Sequence, residues 1–369
     1  MSSMTAGPPA PERAIRPKTI SFGPPGGVGS IAVGDGQPCC IVAEIGQNHN
    51  GDLGIARKLI DMAALCGASA VKFQKRDVDG ELSVELRDKP YDNENSFGAT
   101  YGEHRRFLEF SAEQHRELQA YTAGKGILYL CTVCDLVSLE EMAPLDLPAY
   151  KVASRDMTNW PLLAALGRLG RPIVLSTGMG AEQEVDQALE LLSRYHDQFI
   201  LLQCTSEYPC PTEHVNLRAM QSYRRRYGCL VGMSDHTAGI MPAIAAAVLG
   251  ACYVEKHITL SRAMRGSDHA GSLEMEGLRR VVSYIRQVEI AMGDGSLGFK
   301  PWMGRARDKL AKSLSSKRDL EAGDVLREED LELRCPGSGV PWPRRECLVG
   351  KRARRSIAKH TILAPGDFE

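Results

Sequence analysis

The chain lacks several features that would narrow its function early. Its 45 lysines and arginines are almost cancelled by 46 aspartates and glutamates over 369 residues. No global field therefore favours nucleic acid or an anionic membrane, and an anionic ligand must be met by local charge. No stretch approaches the roughly 18 apolar residues of a membrane span, and residues 1–16, with several prolines and alanines, hold no apolar core of a secretion signal. An odd count of 11 cysteines without such a signal points to a reducing, cytoplasmic setting. Cys39, Cys40, Cys66, Cys204, Cys229 and Cys252 lie mostly in apolar runs, where a reduced thiol packs as a small hydrophobe. No second C-x-x-C accompanies "CTVC" at Cys131–Cys134, which weakens a zinc or redox reading of that pair. No glycine-rich phosphate fingerprint follows the first strand candidate, where "EIGQNHNGD" stands, and this counts against an open doubly wound sheet.

What is present is a repeated pattern. From about residue 40, short β-branched or apolar runs alternate with longer stretches of helical spacing. The runs are "CCIVAEI", "AVKFQK", "ILYLCT", "AYKVAS", "RPIVLS", "FILLQC", "CLVGMS" and "CYVEKH". The amphipathic stretches are Leu53–Cys66, Ala112–Gly124, Trp160–Leu169, Glu182–Tyr195, Leu217–Tyr227, Ala238–Leu249 and Leu278–Met292. Such alternation predicts an α/β fold, a (β/α)8 TIM barrel spanning residues 38–292. Residues 1–37 read as a tail, disordered at its extreme end, followed by a hairpin that plugs the barrel bottom. The segment from "RDVDGE" to "GEHRRF" is too long and polar for a routine connection and is expected to serve the site. Residues 293–309 read as a linker, and 310–369 as a small, compact, β-rich module that buries too little surface to be robust unless it docks on another subunit.

In such a barrel the chemistry sits at the carboxyl ends of the strands. Those ends supply Glu44, Lys72 with Gln74, Thr132, Lys151 with Ser154 and Asp156, Ser176, Ser206 with Tyr208, Ser234 with His236, and His257. His236 and His257 end consecutive strands, which lie about 4.8 Å apart. Two imidazoles so placed can share a divalent ion and leave positions open for water or substrate; hydrogen bonding in a metal-free pocket is the alternative. Barrel closure brings Glu44 beside the second of them. Lys72 and Lys151, with the serine hydroxyls, form a candidate cradle for a phosphate and a carboxylate. A lysine that forms a Schiff base is the rival chemistry.

The ordered motifs "VAEIGQNHNGDL", "AVKFQK", "YKVASRD", "LSTGM", "CTSEYPCP", "GMSDHT", "VEKHITL" and "RGSDHAGSLE" resemble the sialic acid (N-acetylneuraminate) synthase family, and the tail is similar to that family's antifreeze-like SAF domain. The resemblance implies condensation of phosphoenolpyruvate with an aldehyde sugar, N-acetylmannosamine or a relative, assisted by a divalent metal: manganese first, with magnesium or cobalt as alternatives. It implies that His236 and His257 hold the metal and that Glu44 handles protons. Lys72, Thr132, Lys151, Ser154, Ser176, Ser206 and Ser234 would hold phosphoenolpyruvate, with Lys151 also offsetting charge on the departing phosphate. Gln74, Asp156, Tyr208 and Asp268 would meet the acceptor, with Asn95 from the long insertion. Arg334 in "LELRCPGSG" would reach that acceptor from the SAF domain of a partner in a domain-swapped homodimer.

"SRD" departs from the Ser-Gly-Glu of many members, which shortens the carboxylate at Asp156 and places Arg155 beside it. "SEY" replaces an asparagine-containing version and weakens Ser206 as a phosphate donor. These changes leave the acceptor open, along with the roles of Asp235 and of the Cys131–Cys134 pair. Outside the resemblance, two other readings stand: a Schiff-base aldolase, and a non-catalytic carbohydrate-binding protein.

Overall fold

The computed structural model describes residues 18–23 and 29–369. The expected disorder of the extreme N-terminus falls outside the described residues. Two compact units divide the chain, Met1–Gly293 and Asp294–Glu369.

The first unit opens with an antiparallel hairpin of β1 (Thr19–Phe22) and β2 (Ile31–Gly34). Eight parallel strands follow: β3 (Cys40–Gly46), β4 (Ala70–Lys75), β5 (Leu128–Val133), β6 (Tyr150–Val152), β7 (Ile173–Ser176), β8 (Phe199–Cys204), β9 (Leu230–Asp235) and β10 (Tyr253–His257). They close into a barrel in chain order, with β10 paired to both β9 and β3.

A strand turns successive side chains to opposite faces. On β4, Val71 and Phe73 therefore join the apolar layer under the helices, while Ala70 points into the barrel. The same alternation runs round the barrel and divides its interior in two. The floor is apolar: Cys40, Val42, Ala70, Leu130, Val174, Ile200, Leu202 and Tyr253 pack with Ile20, Phe22 and Val33 of the hairpin. The hairpin thus plugs the bottom, with the Phe22 ring edge-on to Tyr253 at 6.3 Å. One pleat further up, the inner positions become Glu44, Lys72, Thr132, Lys151, Ser176, Ser234 and Glu255. Gly232 has no room for a side chain, since a Cβ there would lie 2.3 Å from the carbonyl oxygen of Tyr253 on the neighbouring strand.

The helices are α1 (Leu53–Leu65), α2 (Val78–Glu81), α3 (Val84–Arg87), α4 (Tyr101–Phe107), α5 (Ala112–Gly124), α6 (Leu136–Met142), α7 (Trp160–Arg168), α8 (Glu182–Leu192), α9 (Arg218–Tyr227), α10 (Met241–Val248) and α11 (Met275–Met292). The long insertion is built of the short helices α2, α3 and α4. Asp77, Ser83 and Thr100 cap their N-termini, and Thr100 forms a reciprocal capping box with Glu103. Helix α6 has no counterpart among the sequence-based expectations. It is less than two turns long, and its exposed face carries Leu136 and Val137, so it shows no apolar-polar periodicity.

In the second unit the segment expected as a bare linker carries α12 (Gly304–Leu310). Beyond it β11 (Ser313–Ser316) and β12 (Leu331–Arg334) pair antiparallel over a small core that includes Leu314, Leu320, Leu326, Leu348, Ile357 and Phe368.

Between the barrel and its helices sits an aromatic cluster. Phe73 stacks on Tyr129 at 5.3 Å, and the His49 ring lies 4.0 Å from Phe110. His115 Nδ1 meets the Tyr129 hydroxyl at 2.5 Å. Burial pushes both imidazoles down to about 3, with neighbouring cations adding a little. An unfolded histidine titrates near 6.5. Between those values the unfolded chain binds more protons, so stability is lost as pH falls below about 6.5. We expect each residue to contribute a slope of about 1.4 kcal/mol per pH unit in that window. In urea unfolding between pH 7 and 4, His115→Phe should flatten the slope whatever it does to absolute stability; an unchanged slope would refute the assignment.

Candidate active site

The polar upper layer lines a cavity of about 440 Å³ at the carboxyl ends of the strands. Its lining includes Glu44, Lys72, Gln74, Thr132, Lys151, Ser154, Ser176, Ser206, Tyr208, Ser234, His236, His257 and Asp268, all singled out from the sequence. Alternation and register explain the convergence. The β10–β3 register sets His257 opposite Glu44, and the β10–β9 register sets Glu255 opposite Ser234.

The deepest part is a four-charge cluster. Lys72 Nζ lies 2.7 Å from Glu44 Oε2 and 3.5 Å from Glu255 Oε2, and Lys151 Nζ lies 3.5 Å from Glu255 Oε1. All four side chains are almost fully buried. Lys72 donates to Thr132 Oγ1 at 3.1 Å and Lys151 donates to Ser176 Oγ at 2.8 Å. Burial alone would push the Glu255 carboxyl up, but Lys151 and Lys72 outweigh it and hold it down at about 2. Glu44 touches one lysine only, and there burial wins and raises its pKa. Of the two carboxylates, Glu255 is the more firmly held as an anion, because it faces both ammonium groups.

The histidines occupy the neighbouring wall. His236 Nδ1 donates to the Thr205 carbonyl at 2.8 Å, which leaves Nε2 as the unprotonated nitrogen, 3.3 Å from Ser234 Oγ. His257 Nδ1 is buried with no hydrogen-bond partner. Burial holds both imidazoles down at about 4, with His257 adding to the effect on His236. Their ring centroids are 6.0 Å apart, and the Tyr208 ring lies 4.7 Å from one and 5.0 Å from the other. Two neutral imidazoles, one with an orphaned nitrogen, fit a divalent cation. Among the described residues no group of three or more His, Cys, Asp or Glu forms a closed cage. Any ion held by this pair would therefore depend on further donors such as water or ligand oxygens.

Two expected acceptor residues, Asp156 and Asn95, do not line the cavity. The side chain of Asp156 turns away, its Oδ2 3.4 Å from Arg155 Nε, and it is Arg155 that reaches the wall. Asn95 accepts from the Gly266 amide at 3.1 Å and so tethers the loop that carries Asp268. Arg334 belongs to the second unit, where Glu332 and His360 hold it.

Sequence reasoning missed Glu255, which alternation in "CYVEKH" places on the same inner face as His257. It also missed Arg76, Arg105 and Gln47, which need tertiary structure to reach the cavity. Cys134 Sγ accepts from Arg155 Nη2 at 2.9 Å, and burial pushes the Cys131 and Cys134 thiols up, so both are poor nucleophiles at neutral pH.

Comparison with known proteins follows this geometry. The NeuB family model matches residues 59–297, and the SAF domain model matches residues 311–369. The chain belongs to the NeuB family. It is 39% identical to the N-acetylneuraminate-9-phosphate synthase of Homo sapiens, over 90% of this chain and 93% of that one. It is 37% identical to the N,N'-diacetyllegionaminic acid synthase of Campylobacter jejuni, over 88% and 98% of the two chains. Among solved structures, the N-acetylneuraminic acid synthetase of Leptospira borgpetersenii superposes with a TM-score of 0.68 at 30% identity, covering 79% of this chain and 95% of that one. No helix among the described residues is long and apolar enough to cross a membrane.

Asp235, in the same stretch of this NeuB-family chain as His236, points out of the barrel. Its Oδ2 accepts from Lys256 Nζ at 2.8 Å, and its Oδ1 accepts from the Thr237 amide at 2.9 Å. Both members of the ion pair are buried, so removing one strands the other charge. Asp235→Ala should therefore destabilise the fold by about 3–5 kcal/mol, and Asp235→Ala with Lys256→Met by much less. Thermal unfolding of the two variants checks this; equal losses would show that the pair is not the reason.

Proposed function

We propose that this NeuB-family enzyme condenses phosphoenolpyruvate with an aldehyde sugar to give a nonulosonic acid and inorganic phosphate. The observation that carries the reading is the joining, in one cavity, of a buried two-lysine cradle and two neutral imidazoles, one of them with an unpartnered nitrogen.

Lys72 and Lys151 neutralise the carboxylate and phosphate of the enol ester, with Thr132, Ser154, Ser176, Ser206 and Ser234 donating to their oxygens. His236 and His257 would hold a divalent ion, manganese in the first instance, which when bound would supply Lewis-acid polarisation of the aldehyde. The methylene carbon of the enol attacks the aldehyde carbon, forming the new C–C bond and leaving positive charge at the carbon that bears phosphate. Water adds to that carbon, and the adduct expels phosphate as its C–O bond breaks and a ketone forms. Glu44, whose raised pKa suits proton exchange, takes a proton from the water. Lys151, beside Ser176, offsets charge on the departing phosphate. Gln74, Tyr208 and Asp268 orient the acceptor. The Asn95 tether keeps the Asp268 loop in place, and Asp156 acts through Arg155. Arg334 serves a second copy of the chain in a domain-swapped homodimer, and the enzyme works in the cytoplasm.

Incubation with phosphoenolpyruvate, Mn2+ and a panel of aldoses should release phosphate and yield a product whose mass is the sum of aldose and pyruvate. Chelation should stop the reaction. Lys151→Ala should lower kcat/KM by about 100-fold or more, and replacement of both His236 and His257 by alanine should leave no metal-dependent turnover. A borohydride-trapped adduct on Lys72 or Lys151, with indifference to chelators, would replace this reading with a Schiff-base aldolase.

A further inference from the structure

Strand β10 turns three side chains to the barrel interior in succession, Tyr253, Glu255 and His257. The first belongs to the apolar floor, where it is fully buried with the Phe22 ring of the hairpin edge-on to it. Its hydroxyl is nevertheless turned to the charged layer above and donates to Glu255 Oε2 at 3.0 Å. Burial, with Glu255 adding to it, pushes this phenol well above the usual tyrosine range, so it stays protonated and acts as a donor.

That contact is shorter than either ammonium contact of the same carboxylate. Lys72 Nζ and Lys151 Nζ each stand 3.5 Å from a Glu255 oxygen, beyond the roughly 3.2 Å limit of a good N–H···O bond. The lysines direct protons elsewhere, Lys72 to Glu44 and Thr132, Lys151 to Ser176 and the Val152 carbonyl. A buried carboxylate free to turn would close on one of the two ammonium groups, because a charge-assisted bond at about 2.8 Å is the stronger arrangement. It would then take a donor from any bound anion and leave the other lysine with less of its counter-charge. Ser234 also hydrogen-bonds Glu255, but its hydroxyl lies 3.3 Å from His236 Nε2 and lines the cavity, where a ligand competes for its one proton. Tyr253 does not line the cavity, so its bond to Glu255 is the one that a ligand leaves undisturbed.

We propose that Tyr253 is a positioning residue of the anion cradle: its hydroxyl holds Glu255 between the two lysines and short of bonding either, so that both ammonium groups keep donors for the phosphate and carboxylate of the substrate. This rests on the reading of the cavity as a phosphoenolpyruvate site. The hairpin takes part at one remove, since its Phe22 braces the ring that carries the hydroxyl.

Tyr253→Phe removes the hydroxyl and keeps the ring in the floor. In the full-length enzyme it should weaken phosphoenolpyruvate binding, measured by calorimetry without an acceptor, by about 10-fold or more, the range for a lost hydrogen bond to a charged group. In turnover the KM for phosphoenolpyruvate should rise with it while the KM for the aldose stays unchanged. A crystal structure of the variant should show the Glu255 carboxylate turned onto Lys72 or Lys151. Unchanged affinity, with or without a lowered Tm, would make the hydroxyl a contact of the fold alone and overturns the proposal. So does a carboxylate that keeps its place, or an equal rise in both KM values. If no aldose turns over, the condensation reading fails, and calorimetry with the variant structure still decides the role of Tyr253. Wild-type enzyme that does not bind phosphoenolpyruvate overturns both.

Discussion

A charge inside a barrel has to be met by another charge. Lys72, Lys151, Glu44 and Glu255 are each at most 5% exposed, and none could remain ionised there alone. Closure of eight parallel strands makes their meeting possible, because it returns β10 to β3 and sets His257 against Glu44 across a single hydrogen-bonded step. The apolar floor below them, sealed by Phe22 and Val33, excludes water from the strands' other end. That leaves the mouth as the place where these charges face a ligand. The cluster is therefore poised more than stabilised: its electrostatic attraction offsets desolvation only while every member is present.

Much of this was legible in the sequence, because a barrel strand writes its two faces at alternate positions. "AVKFQK" shows Lys72 and Gln74 on one face and Val71 and Phe73 on the other, and β4 occupies those six residues. Eight such runs, each followed by a helical stretch, are enough to give the fold and the mouth. The ordering of "GMSDHT" before "VEKHITL" is enough to place two histidines on adjacent strands.

What the sequence hid was of two kinds. Short elements whose apolar residues are not confined to one face, such as α6, leave no periodic trace. Side chains that reach the cavity from outside the strand pattern leave none either. Arg105 arrives from α4 in the insertion, and Asp156 turns out of the cavity because Arg155 takes its position on the wall. Asp235 shows the reverse case. It looks like a site residue by its neighbours, but alternation points it outward to Lys256, where it braces the strand that carries His236.

The two carboxylates at the floor of the cavity show how position alone separates the roles of like groups. Glu255 sits between both lysines, so their combined field overcomes its burial and fixes it as an anion. Glu44 has one lysine and an amide, and its burial prevails. The difference is a consequence of register: Glu255 lies on the strand that points at the centre of the cradle, while Glu44 lies one strand over at its edge, opposite His257. A firm anion keeps two ammonium groups together in a dry site, and a soft one beside the imidazoles can exchange a proton without dispersing them. A single carboxylate could not do both, since the field that holds one proton off is the field that would prevent the other from being taken up.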